Sequence, residues 1–179
     1  MQKQTRRIIL LLTAVSIASI GIAVWQNYEL RLEHKREERH LSRMAHRGAY
    51  FIYLTQQQIN TVNKENSWDN KETRDSFRAL LARADESLIG TNWTLSDFSS
   101  QASSNMNDIY FWFTDWWIEA VDILNKAGPL SKEDKTRISE LSNIVSKVDG
   151  FYVSTPSYYD WDGISDQLAS LHEEWKKAK

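Results

Sequence analysis

The amino-acid sequence predicts an all-α protein: a single N-terminal transmembrane helix, then a stalk, then an up-and-down bundle of four to five helices. Three observations carry that expectation. Ile8 to Tyr28 contains no charged residue, and residues 8–25 are apolar almost throughout. Beyond residue 40, apolar residues recur at alternating steps of three and four, the period of one helix face, and no segment alternates strictly with a period of two. Six Gly and two Pro in 179 residues leave little punctuation, which suits long regular elements.

Residues 1–7 form a short basic tail containing Lys3, Arg6 and Arg7. Residues 8–25 are read as a transmembrane signal anchor: at about 1.5 Å per residue the uncharged stretch reaches roughly 27 to 31 Å, the thickness of a bilayer's hydrocarbon core. Trp25 and Tyr28 follow where aromatic rings favour the headgroup layer. A cleaved signal peptide is the alternative. Gly21 and Ala23 place small residues at the two positions a signal peptidase reads, and cleavage there would yield a secreted protein. The tail's positive charges abut the apolar run more closely than Arg31 and Lys35 do beyond it. The tail is therefore expected in the cytoplasm and the bulk of the chain outside it.

Residues 26–40 read as a charged helical stalk, because Glu33 to His40 offers no apolar residue and can bury no face. Residues 41–179 are the bundle domain. Its first stripe falls at 41, 45, 48, 52, 55, 59 and 62, and Lys64 to Asn70 reads as a turn. A second stripe at Phe77, Leu81, Ala84 and Leu88 is expected to stop at Gly90, the residue best suited to a left-handed cap, with Thr91 to Ser96 as a connection. The longest stripe runs through Ala102, Met106, Ile109, Phe113, Trp116, Ala120 and Ile123 and ends at Gly128 and Pro129. Ser131 and Asp134 resemble a capping box ahead of Ile138, Leu141, Val145 and Val148, and Gly150 closes that seam. A final helix carries Ile164, Leu168, Leu171 and Trp175 after an aromatic loop holding Phe151, Tyr152, Tyr158, Tyr159 and Trp161. Short connections make antiparallel neighbours, packed much as in a coiled coil. The layout resembles the extracytoplasmic helical bundles of bacterial receptors, without their second span or cytoplasmic signalling region. That resemblance is one of fold and implies no function.

A formal net charge of −2 argues against a nucleic-acid partner, and the absence of cysteine removes disulfides, thiolate metal sites and a lipid-modified cysteine anchor. Eight Trp and seven Tyr suit a dense core or a contact surface. His34, His40 and His46 are six residues apart and rotate by about 120° at each step, so they cannot meet on one ion. Glu37 with His40 matches half of a di-iron helix pair, with no second half in view. His172 stands alone beside Glu173 and Glu174. Asp108, Asp115, Glu119 and Asp122 fall within about 60° on one helix face, an arrangement able to hold a cation or a proton but more simply the solvent side of an amphipathic helix. No nucleophile or nucleotide-binding motif is present, and Asn92, Trp93 and Thr94 form a glycosylation sequon.

The aromatic run around these carboxylates divides by helical phase. Tyr110, Phe113, Trp116 and Trp117 share the core face, whereas Phe111 and Trp112 fall on opposite flanks of the acidic stripe, where a neighbouring helix or the aromatic loop from Phe151 to Trp161 covers them unless a partner does. The expected function is that of a non-enzymatic, membrane-anchored, extracytoplasmic scaffold, accessory or regulatory subunit acting through protein contacts. It calls for no catalytic residue, cofactor or metal. Its partners would be a membrane crossed once and an unidentified protein, met by Phe111, Trp112, Asp115, Glu119, Tyr158, Tyr159 and Trp161. A module recognising a small molecule or cell-wall sugar through aromatic rings ranks second, and a carboxylate-dependent metal hydrolase third.

Overall fold

The computed structural model describes residues 2–96, 100–152 and 161–178, with the side chains at 2–11, 14, 94–96 and 100–103 outside that description. The helices are α1 (Gln2–Glu65), α2 (Lys71–Ser96), α3 (Ser100–Leu124), α4 (Lys132–Val145) and α5 (Trp161–Ala178), with no strand among the described residues. Two compact units result, Met1–Glu38 and Arg39–Lys179.

The first unit is the leading part of α1. Every described side chain from Leu12 to Leu30 is exposed, apolar and polar alike. Among the described residues no helix is long and apolar enough to cross a membrane. The expected span over 8–25 thus finds no support in the described part of α1, residues 8–11 and 14 of that run lying outside it. Further along, His34 Nε2 lies 3.3 Å from Glu38 Oε1, the spacing by which a charged helical stretch supports itself.

The second unit is the bundle. In α1 the expected stripe is buried at each of its positions, from Leu41 through Ala45, Gly48, Ile52, Thr55 and Ile59 to Val62. Small residues at 45, 48 and 49 let α2 come close: a Cβ on Gly48 would meet Thr91 Oγ1 at 3.1 Å and Leu88 Cδ2 at 3.3 Å. The Thr91 hydroxyl lies 2.9 Å from the Met44 carbonyl and 2.8 Å from that of Ser87, so it can donate to either helix. α1 ends within the expected turn, where Asn66 takes a left-handed φ of 50° and Trp68 Nε1 donates to Asn63 Oδ1 at 2.6 Å.

α2 departs from expectation. Gly90 does not stop it, and the helix runs on to Ser96. A glycine inside a helix costs about 1 kcal/mol relative to alanine, and here the packing of α2 against Met44 and Gly48 outweighs that propensity. α3 returns antiparallel, with Asn92 Nδ2 donating to Asn107 Oδ1 at 3.2 Å near one end and Arg78 donating to Asn125 near the other. The capping box of α4 forms as read: Asp134 N donates to Ser131 Oγ at 3.1 Å and Ser131 N to Asp134 Oδ2 at 3.2 Å. Two polar pairs tie α4 to α1, Ser142 Oγ to Asn60 Oδ1 at 2.6 Å and Asn63 Nδ2 to Ser139 Oγ at 2.9 Å. α3 packs against α2, α4 and α5 at once.

One buried cation closes an end of the bundle. Arg74 donates from Nε to the Trp68 carbonyl at 2.5 Å and from its two terminal nitrogens to Lys126 O at 2.8 Å and Gly128 O at 2.7 Å. Gly128 holds a left-handed φ of 83° in the turn that follows α3. The guanidinium therefore satisfies carbonyls that the end of α3 and the following turn leave free.

Candidate interaction surface

α3 carries four carboxylates and neither Lys nor Arg. Its neighbours split this acidic stripe. On one flank Asp108 Oδ2 lies 2.8 Å from His172 Nε2 of α5, and Glu119 Oε1 lies 3.7 Å from Arg137 Nε of α4. Asp115 and Asp122 are exposed and have no ion-pair partner among the described residues. The four do not converge, and no group of three or more His, Asp or Glu side chains among the described residues is placed to hold a metal ion.

Two sequence readings are corrected on this flank. Trp112, expected to be free for a partner, is only 6 % exposed. α5 covers it: the Trp175 ring lies 6.3 Å from that of Trp112, centre to centre, and stacks on His172 at 5.7 Å. His172 does not stand alone at a charged terminus but is buried against Asp108. The signal for this was present, since His172 follows Leu171 on the buried face that Leu168 and Trp175 also share. A single helix, however, does not reveal which neighbour it meets.

The outward face of α3 remains. Phe111 is 56 % exposed and Ile118 50 %, one heptad apart, with Asp115 between them and Asp122 a turn beyond Ile118. Phe111 and Asp115 thus stay where the sequence placed them, and Ile118 and Asp122 join them. Glu119 lies toward α4 with Arg137, and Trp161, at the start of α5, is half-buried against the core. Tyr158 and Tyr159 lie outside the described residues.

The α2 side of this face is polar. The register that pairs Asn92 with Asn107 sets Asp85 of α2 beside Thr114, between Phe111 and Ile118. Burial raises the Asp85 carboxyl above the usual carboxylate range, and the nearby Thr114 hydroxyl opposes the shift. Beneath this pair Trp117 Nε1 is buried without a hydrogen-bond partner among the described residues. A polar atom left in that state costs about 1–3 kcal/mol, so this seam is a weak point beneath an exposed apolar pair.

Two other features escaped sequence reasoning. Tyr152, with a left-handed φ of 60°, stacks on Tyr53 at 5.1 Å, lies 5.4 Å from Tyr50 and brings its hydroxyl to 3.3 Å from His46 Nε2. His46 is thus part of an aromatic cluster, and burial lowers its pKa. The sequon is closed: Asn92 is 8 % exposed within α2, and its amide is committed to Asn107. No protein-family model, curated protein or solved structure matches the chain.

Proposed function

We propose that this is a membrane-anchored, extracytoplasmic helical-bundle protein that works as a scaffold or accessory subunit by docking another protein on the outward face of α3. The observation that carries the reading is the pair Phe111 and Ile118, large apolar side chains left exposed beside Asp115 and Asp122 on a helix whose other face is core. Apolar anchors with a charged border are the pattern of protein contact surfaces. Supporting the anchor, Ile8 to Tyr28 is free of charge and residues 8–25 are apolar almost throughout.

The test uses the full chain in cells, with a photoreactive amino acid in place of Phe111. The expected result is a discrete protein adduct on a chain that stays in the membrane pellet after alkaline carbonate. A chain released by carbonate would remove the anchor, and the absence of any protein adduct would remove the docking face. A second reading, recognition of a small molecule, draws on the Tyr50, Tyr53, Tyr152 and His46 cluster. Saturable ligand binding abolished by Tyr50→Ala would favour it.

A further inference from the structure

Resting on that reading, we infer that the occupant of the α3 face is a cationic amphipathic helix of a different protein. Phe111 and Ile118 are separated by about 10 Å along the helix axis, the span of two turns. A partner helix laid along them can answer with apolar residues at the same spacing. What flanks the apolar pair selects the partner. Asp115 and Asp122 lie beside it, exposed and without a cationic partner among the described residues. Lys or Arg on the shoulder of the incoming helix that faces Asp115 and Asp122 would pair with them.

The same charges exclude the other occupants. A second copy apposed through α3 would set Asp115 and Asp122 against their counterparts, and α3 has no Lys or Arg to relieve them. A lipid surface would have to desolvate carboxylates within one turn of both anchors, next to headgroups that carry phosphate. A cationic helix instead gains from each carboxylate that the other two leave uncompensated.

The experiment sequences the segment captured by the photoreactive residue at position 111 in the full chain and repeats the capture with Asp115→Lys and Asp122→Lys combined. Both sites are exposed, so an unchanged melting temperature certifies the fold. The expected segment has net positive charge and apolar residues at helical spacing, and the charge reversal cuts adduct yield at least tenfold. A captured segment that is neutral or acidic, or that comes from a second copy of this chain, overturns the cationic partner while leaving the docking reading intact. Unchanged yield after charge reversal overturns it equally. No adduct at all fails both readings together.

Discussion

Trp112 and Phe111 are consecutive aromatic residues with opposite fates. Trp112 lies beneath Trp175, so Trp112→Ala should cost about 3–5 kcal/mol in chemical denaturation, as truncating a buried aromatic does. Phe111→Ser should stay within about 0.5 kcal/mol of the parent, because its ring stands in solvent. Equal costs would mean that α5 does not cover Trp112. Asp85 supplies a pH signature. Its carboxyl is raised by burial, so the folded chain holds this proton more tightly than the unfolded chain does. The stability it contributes is full in acid and is lost as pH rises from the ordinary carboxylate value through the raised one. Asp69, Asp75 and Asp134 titrate the opposite way, lowered chiefly by the Leu130 amide, Lys71 and Lys126 respectively, and their contribution disappears as pH falls through their folded values. Asp85→Asn should therefore raise the melting temperature at about pH 7 but not at about pH 2.5, well below the ordinary carboxylate value, where Asp85 is protonated in either state. An equal gain at both values would tie the effect to something other than charge.

At the scale of elements, two glycines inside helices do different work. A Cβ on Gly90 would sit 3.8 Å from the Met44 methyl carbon, ordinary contact, whereas one on Gly48 would press Thr91 and Leu88 at 3.1 and 3.3 Å. Gly90→Ala should stabilise by up to about 1 kcal/mol and Gly48→Ala should destabilise by about 1–3 kcal/mol, both read by thermal and urea unfolding. Stabilisation by both would show that α1 and α2 are not in close contact. The contrast explains what the sequence disclosed. The stripe from Leu41 to Val62 was legible because a helix that packs on one face repeats its own period, and the capping box of α4 because its chemistry is local. Gly90 misled because a cap is a local preference of about 1 kcal/mol that tertiary packing overrides. Trp112 and His172 misled because helical phase gives the angle of a side chain but not the neighbour that lies there. Phe111 and Asp115 are exposed, as their helical phase allows.

For the whole molecule, Arg74 joins segments far apart in the chain. Its fork meets carbonyls of Trp68, Lys126 and Gly128, and Lys has no planar fork with which to replace it. Arg74→Lys should cost about 2–4 kcal/mol, since part of this carbonyl set is left without a donor. A loss below about 0.5 kcal/mol would show that water serves the turn equally well. The closed sequon has a consequence of another kind, in time. Glycosylating enzymes need a reachable asparagine, and Asn92 is reachable only until α2 closes on α3 and its amide is taken by Asn107. In a host that glycosylates, sugar transfer and helix docking would then be competing processes on each new chain. Occupancy at Asn92 becomes a clock for folding. Chains that mature quickly should carry no glycan there, and slowing bundle assembly with Gly48→Ala should raise the glycosylated fraction, read by mass spectrometry.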